Sequence, residues 1–257
     1  MYKHLRNMLA AATLAVPALF GVSAQDTAPT ERKAIESIIE EYLLENPEVI
    51  EKAIIELQRR RTLARMLPAV NLYRGYLEND PEAPVLGNPE GDVTIVEFFD
   101  YRCGFCRRHF PEVLKLVKED GNIRYIPRQY PVLDREGDTP VSRLASYAAL
   151  AAHKQGKFEE FHVAAMTAPG QLSEDRLYEI AGSVGLNVDQ LKTDMKDKLV
   201  EKSVRNTLSI GHDIGFTGTP GYIIGDDVVL GAEGYFRLLE AVDRARKDAG
   251  KETASSR

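Results

Sequence analysis

Apolar residues recur at three- and four-residue spacing between residues 31 and 66, and this pattern predicts two amphipathic helices. Asn46 and Pro47 interrupt it, and we expect Asn46 to be the N-cap and Pro47 the first residue of the second helix. The basic cluster 59–61 marks the expected end of that helix. A short further helix is predicted near 70–78, before a connector at 80–92 rich in Pro, Gly, Asn and Asp. The apolar positions of the two helices are Ile35, Ile38, Ile39, Tyr42, Leu43, Val49, Ile50, Ala53, Ile54 and Leu57.

Beyond the connector the pattern changes to strands and helices in turn. Residues 93–101 form a continuous apolar, β-branched and aromatic run, which is typical of a strand buried on both faces. The order that follows is a helix with an expected kink at Pro111, a strand at 121–132, helical segments from 141 to 215, a hairpin at 216–232 and a helix at 235–249. This order predicts an α/β domain with a mixed sheet.

The first 24 residues have the layout of a secretory signal peptide. A basic start with Lys3 and Arg6 precedes an apolar stretch at 8–20, and small residues lead to an expected cleavage after Ala24. A membrane anchor is the weaker alternative, because Pro17 interrupts the stretch and about 20 apolar residues are needed to cross a bilayer. The absence of a twin-arginine pair favours the general secretory route. We therefore expect an exported, periplasmic protein.

Charge and cysteine usage narrow the function classes. The formal net charge is -6. Cleavage of the leader would remove Lys3 and Arg6 but no acidic residue, which changes the net charge to -8. An acidic chain is a poor general binder of nucleic acid, since phosphate contacts need clustered Lys and Arg. The chain has two cysteines, and both lie in one short motif rather than at scattered positions suited to structural disulfides. Both thiols therefore belong to one local site.

Cys103 and Cys106 are spaced C-x-x-C, where the predicted strand gives way to a helix. A thiol is a nucleophile only when it is deprotonated, and the pKa of a free cysteine is near ~8.5. The unsatisfied N–H groups of a helix N-terminus favour the thiolate. We therefore expect Cys103 to be the nucleophile and Cys106, one turn further along and buried, to be the resolving thiol. Positive charge near the motif comes from Arg102, Arg107, Arg108 and His109.

Other uses of the two thiols are chemically possible. A zinc site would need His109 as a third ligand. The fourth would have to come from a histidine further along the chain, namely His153, His162 or His212. Haem attachment would need a histidine directly after Cys106, where Arg107 stands. A Cu(I) ion held by both thiolates, or two inert core thiols, are the remaining alternatives.

Two further positions support a redox site. Glu97 lies in an otherwise apolar strand, where a buried charge is costly unless it has a task, such as exchanging the proton of Cys106. The alternative is that Glu97 faces a solvated sheet edge. Thr219-Pro220 precedes a strand and lies between glycines, a context that suits either a cis bond that exposes backbone for a bound peptide or an ordinary trans turn.

These residues resemble the thioredoxin-fold disulfide oxidoreductases of the DsbA type. The resemblance covers roughly residues 92–249 and rests on "VEFFDYRCGFC", on a helical insertion at about 140–215 and on "GTPGYIIG". It implies a thioredoxin fold, a cis bond at Thr219-Pro220, a buried role for Glu97 and no organic cofactor. Its substrates would be disulfide-containing exported proteins, and a membrane redox partner would recycle the cysteines.

The helices before this domain resemble the N-terminal region of the suppressor-of-copper-sensitivity protein C group. Members of that group can assemble through this region, in some cases as trimers, which gives disulfide isomerase activity. Two short amphipathic helices cannot bury their apolar stripes on each other alone, which also favours a homo-oligomer, a trimer before a dimer. The alternative is that they pack back on their own domain. The expected layout is a leader at 1–24, an oligomerisation region and linker at 25–80, a catalytic domain at 81–250 and a tail at 251–257.

The residues between the cysteines depart from the resemblance. DsbA-type oxidases usually carry Pro-His there, whereas this chain has Gly104 and Phe105. This pair, and Thr219 before the proline, favour an isomerase or reductase. The alternatives are a monomeric dithiol oxidase and, in another class, a periplasmic Cu(I)-binding protein.

Overall fold

The structure is a computed structural model that describes residues 29–255, with side chains over 31–250. The expected leader at 1–24 lies outside the described residues. The chain divides into two compact units, one up to Ile55 and one from Glu56 onward. No helix in the described range is both long enough and apolar enough to cross a membrane.

The first unit holds helix α1 (Pro29–Glu45) and the start of helix α2 (Glu48–Asn79). The predicted break between them is confirmed, but Asn46 does not cap the second helix. Its side-chain amide donates to the carbonyl of Tyr42 at 2.9 Å, so Asn46 terminates α1 instead. The apolar stripe of α1 is exposed, with Ile38 64% accessible.

Helix α2 is continuous, and the prediction of a helix that ends near residues 59–61 with a separate one near 70–78 is wrong. Pro68 lies inside α2 and removes one backbone hydrogen bond. Packing offsets this loss, because Met66, Val70 and Leu77 are buried in one core cluster with Phe98 of the sheet. The residues from Glu56 to the end of α2 therefore form part of the second unit.

The second unit contains a five-stranded mixed sheet in the order β1-β3-β2-β4-β5. The strands are β1 (Leu86–Gly87), β2 (Val93–Phe99), β3 (Ile123–Gln129), β4 (Gly221–Ile224) and β5 (Asp227–Leu230). Strands β2 and β3 are parallel and all other pairs are antiparallel. Strand β1 lies in the predicted connector. It has two residues, which is too short for a periodic pattern in the sequence.

Helix α3 (Gly104–Asp120) joins the parallel strands and contains Pro111. The helical insertion lies between β3 and β4, as predicted, and comprises α4 (Val141–Lys154), α5 (Phe158–Thr167), α6 (Glu174–Ser183), α7 (Val188–Asp194) and α8 (Lys198–Ile214). The last helix, α9 (Tyr235–Ser255), runs past the expected end at residue 249.

Alternate residues of β2 contribute to two different core clusters. Ile95 and Phe99 pack in a cluster with Cys106 of α3, whereas Val96 and Phe98 pack with α2 and α8. Because side chains of a strand alternate between faces, Glu97 lies on the same face as Ile95 and Phe99. The fold therefore directs this carboxyl group toward the side of the sheet that carries the cysteines.

Candidate active site

The two cysteines open helix α3 directly after the end of β2. Cys103 is the N-cap residue, with φ -69° and ψ 113°, and Cys106 lies one turn further into the helix. Asp100 holds the turn, because its carbonyl accepts the N–H of Cys103 at 3.0 Å and its side chain accepts the N–H of Arg102 at 2.8 Å. Both cysteines are free thiols in this structure. Cys103 is 6% accessible and Cys106 is fully buried, so Cys103 is the outer thiol, as predicted.

Hydrogen bonds lower the pKa of Cys103 to about 5. The largest effect is the bond from the Cys106 thiol, which acts against the effect of burial, and further contributions come from Thr219 and the N–H groups of Cys106 and Phe105. The N–H of Cys106 lies 3.4 Å from Cys103 Sγ, and the protonated thiol donates to the Thr219 carbonyl at 3.3 Å. Burial raises the pKa of Cys106 far above its usual value. At neutral pH the site therefore pairs a thiolate with a neutral thiol.

The positive side chains near the motif have partners of their own. Arg102 lies 3.4 Å from Asp134, and Arg108 stacks over the ring of Phe105 at 4.8 Å. The Arg107 guanidinium donates to three backbone carbonyls at the end of α5 and in the loop before α6, those of Met166, Ala168 and Gly170. The low pKa of Cys103 accordingly comes from hydrogen bonds at the start of α3 and with Thr219.

Gly104 and Phe105 occupy the first turn of α3 and are both exposed. A Cβ added at Gly104 would meet only the flexible end of Arg108, at 3.4 Å, so packing does not require glycine there. Phe105 is 61% accessible and presents an apolar ring to solvent in the first turn of α3.

The Thr219-Pro220 bond is cis, as the resemblance implied. The Pro220 carbonyl accepts the N–H of Gly231 at 2.8 Å, which fixes the loop to the end of β5. Gly221 is required at the next position, because a Cβ there would lie 2.4 Å from the ring of Phe216. Thr219 Oγ1 is buried and has no hydrogen-bond partner among the described residues. This hydroxyl is available to donate to Cys103 when Cys103 is ionised.

Glu97 is 1% accessible, so it does not face a solvated sheet edge. Its carboxylate accepts hydrogen bonds from the hydroxyls of Tyr125 and Tyr222. Burial raises the pKa of Glu97 to about 7, although the two hydroxyls act in the opposite direction and the charge of Cys103 adds to the rise. A group with this pKa can take up or release a proton near neutral pH.

The sequence did not reveal the residues that form hydrogen bonds around Glu97, which are Tyr125, Tyr222 and His109. Tyr222 lies opposite Glu97 in the β2–β4 pair, and its hydroxyl is 2.8 Å from His109 Nδ1. The only sequence signal is a tyrosine in each of two short apolar strands, which is also typical of plain core packing.

The described residues contain no group of three or more His, Cys, Asp and Glu side chains that could hold a metal ion. His109 is bonded to Tyr222, and His162 is buried with its Nδ1 2.8 Å from the Tyr101 hydroxyl. The zinc site considered from the sequence therefore has no ligand set in this part of the chain.

Two family models match the chain. One is described as a DSBA-like thioredoxin domain and matches residues 94–243, which is more than half of the chain. The other is described as the Copper resistance protein ScsC N-terminal domain and matches residues 31–62.

Solved structures and curated proteins include similar chains. A thioredoxin-like oxidoreductase from Silicibacter pomeroyi DSS-3 is 46% identical, with a TM-score of 0.64 over 68% of this chain and 98% of that one. A periplasmic thioredoxin-like protein from Salmonella enterica serovar Typhimurium is 26% identical, with a TM-score of 0.59 over 68% and 96%. The Na(+)/H(+) antiporter NhaA 1 of Salinispora arenicola is 30% identical over 152 residues, which are 56% of this chain and 22% of that protein.

The described fold agrees with these matches, and both resemblances inferred from the sequence are confirmed. The chain belongs to the DSBA-like thioredoxin domain family and carries, ahead of that domain, a segment of the Copper resistance protein ScsC N-terminal domain type.

Proposed function

We propose that this protein is a periplasmic thiol:disulfide oxidoreductase that acts on disulfides of exported proteins, as an oligomeric isomerase or reductase. The observation that carries the proposal is the position of Cys103, a low-pKa thiol at the N-cap of α3 with the neutral thiol of Cys106 bonded to it. The periplasmic location is supported by the predicted leader and by the similarity to a periplasmic thioredoxin-like protein.

The proposed reaction begins with attack of the Cys103 thiolate on a substrate disulfide. A mixed disulfide forms and one substrate sulfur leaves as a thiolate. Cys106 then loses its proton to Glu97 and attacks Cys103, which releases the second substrate sulfur and leaves a Cys103–Cys106 disulfide. In isomerisation, a substrate thiolate displaces Cys103 instead and forms a new pairing.

Each resolved cycle oxidises the protein by two electrons. A membrane redox partner of the dithiol class must therefore return Cys103 and Cys106 to the reduced form for isomerase or reductase work. No organic cofactor takes part in these steps.

The N-terminal helices support the oligomeric part of the proposal. Ile35, Ile38, Ile39 and Tyr42 of α1 are each at least half exposed, in the segment that matches the ScsC N-terminal domain. An exposed apolar stripe of this size favours association with other copies of the chain. We propose a trimer, in which several catalytic domains share one substrate.

A monomeric oxidase is the second candidate, and one observation favours it. The hydrogen bonds that lower the pKa of Cys103 stabilise the reduced form, which makes the corresponding disulfide more oxidising. Gly104 and Phe105 in place of Pro-His favour the isomerase.

Refolding assays separate these candidates. We expect the mature protein to restore activity to a scrambled multi-disulfide substrate in a glutathione buffer and to reduce insulin with dithiothreitol. An oxidase would oxidise a reduced substrate without correcting wrong pairings. Tight stoichiometric Cu(I) binding without turnover in either assay would favour the Cu(I)-binding protein and contradict the proposed activity.

A further inference from the structure

Glu97 is buried inside the protein, so its proton needs a route to solvent. The inference rests on the proposed function, in which Glu97 takes the proton of Cys106 once in each resolving step. Because the carboxyl group is 1% accessible, that proton cannot leave directly into water. A route through other side chains is therefore needed within the resolving step, so that the proton can leave Glu97 as Cys106 attacks.

One continuous line of hydrogen bonds leads away from Glu97. The Tyr222 hydroxyl donates to Glu97 Oε1 at 3.0 Å, and His109 Nδ1 lies 2.8 Å from the same hydroxyl. On the far side of the ring, His109 Nε2 accepts the N–H of Gly234 at 3.1 Å. His109 thus bridges the interior of the site and the loop before α9.

The partners of His109 assign its tautomer. Nε2 accepts a backbone N–H, so the ring proton is on Nδ1. Nδ1–H then donates to the Tyr222 oxygen, whose own proton points to Glu97. All the donors are therefore oriented in one direction, from the outer end of the line toward the carboxylate.

The outer end of the line reaches the surface at Glu112. Glu112 Oε2 lies 3.6 Å from His109 Nε2, and its side chain is 48% accessible. The N–H of Tyr235 donates to the same oxygen at 2.7 Å, which holds the carboxylate beside the ring. An exposed carboxylate next to Nε2 is a suitable point for protons to enter and leave.

We propose that Tyr222 and His109 form a proton relay that connects Glu97 to solvent at Glu112 during the resolving step. For proton uptake, a proton binds Nε2, the Nδ1 proton moves to the Tyr222 oxygen, and the Tyr222 proton moves to Glu97 Oε1. Release is the reverse sequence and starts from the Nε2–H tautomer: Glu97 gives its proton to the Tyr222 oxygen, Tyr222 gives its own proton to Nδ1, and the Nε2 proton leaves to solvent beside Glu112. Both residues end neutral, and neither touches the reacting sulfurs, so they are positioning residues that act through Glu97.

Tyr125 provides a comparison within the same site. Its hydroxyl also donates to Glu97, to Oε2, but no further hydrogen bond from this hydroxyl is present in the described structure. The titratable groups that face Glu97 are Tyr125 of β3, Tyr222 of β4, Tyr101 and the two cysteines. The groups that face His109 are Glu112 and Tyr222. Loss of either tyrosine hydroxyl removes one hydrogen bond to Glu97, but only loss of Tyr222 interrupts the relay.

The test follows the two steps of exchange separately in single-turnover kinetics with a disulfide-bonded peptide. The first step, formation of the mixed disulfide, needs Cys103 and shows in the same sample whether a variant is folded. The second step, resolution by Cys106, reports the relay. Its rate is measured against pH and in mixtures of H2O and D2O.

Tyr222→Phe and His109→Asn are the relay variants, and Tyr125→Phe is the matched variant. Asn can still donate to the Tyr222 oxygen but cannot pass a proton through a ring. We expect both relay variants to slow resolution about tenfold at its pH plateau and to lose most of the solvent isotope effect. Tyr125→Phe is expected to move the pH midpoint upward, as Tyr222→Phe does, without this loss of plateau rate.

The wild-type protein supplies a second measurement that does not depend on any variant. A relay with several protons in transfer predicts a curved dependence of the resolving rate on the D2O fraction, and a straight line would contradict it. Equal resolving rates in the wild-type protein and both relay variants would overturn the proposal, as would an equal plateau loss in Tyr125→Phe. Failure of the first step in the wild-type protein would instead contradict the proposed function.

Discussion

Tyr222 lies directly opposite Glu97 in the antiparallel pair of β4 and β2, and its hydroxyl donates to the Glu97 carboxylate at 3.0 Å. Opposed residues in such a pair have side chains on the same face of the sheet. The strand register therefore places a hydroxyl donor next to the buried acid. This arrangement keeps Glu97 hydrogen-bonded in both protonation states while burial holds its pKa at about 7.

The raised pKa of Glu97 predicts a stability that falls as pH rises. Between about 4.5 and about 7, the folded carboxyl keeps its proton whereas the unfolded one has lost it, so ionisation favours unfolding. In a Cys103→Ser, Cys106→Ser background, we expect this residue to lower the free energy of unfolding by up to about 3 kcal/mol over that range. Glu97→Gln in the same background should remove this slope in denaturant titrations at several pH values. Equal slopes with Glu and Gln would contradict the assignment.

The pKa of Cys103 should depend most on the Cys106 side chain. Cys106→Ala removes the hydrogen bond with the largest effect and is expected to raise the pKa of Cys103 above about 5. The N–H groups and Thr219 remain, so the pKa should stay below that of a free cysteine. Cys106→Ser keeps a hydroxyl donor and is the matched variant, with a smaller rise. Thiolate ultraviolet absorbance against pH measures all three proteins, and an unchanged pKa in Cys106→Ala would show that the backbone alone stabilises the thiolate.

Arg107 and Arg108 are adjacent but should differ in their effect on stability. Arg107→Ala leaves three backbone carbonyls at the end of α5 and in the following loop without their charged donor, and we expect the free energy of unfolding to fall by about 2 kcal/mol or more. Arg108→Ala removes only a stack on an exposed ring and should change the free energy of unfolding by less than about 0.5 kcal/mol. Denaturant unfolding of both reduced variants is the measurement. If Arg107→Ala lowers the free energy of unfolding as little as Arg108→Ala does, the Arg107 contacts do not stabilise the fold.

Local pattern predicted the parts of the molecule that depend on neighbours in sequence. The strand at 93–99 and the C-x-x-C turn follow from a continuous apolar run and a helix start, and both are present. The continuity of α2 through Pro68 could not be predicted, because packing against the sheet decides it. The contact of His109 with Tyr222 joins positions 113 residues apart, and no short-range pattern encodes that distance.

The exposed stripe of α1 provides the test of assembly. Ile38 is 64% accessible, and we expect Ile38→Glu to prevent association, because a charge would have to be buried in the subunit contact. The mass from light scattering should fall to that of one chain. Reduction of insulin should persist, because it needs only the site at Cys103, whereas repair of scrambled disulfides should be lost.

Leu199→Glu is the matched control, since Leu199 is 69% accessible but lies on α8, far along the chain from the segment of ScsC type. The same chemical change there should leave both the mass and the isomerase activity as in the wild-type protein. A monomeric wild-type protein would contradict the oligomer, and an Ile38→Glu monomer that still repairs scrambled disulfides would separate isomerase activity from assembly. Because the two variants differ only in the helix that carries the new charge, a loss confined to Ile38→Glu would identify α1 as the subunit contact.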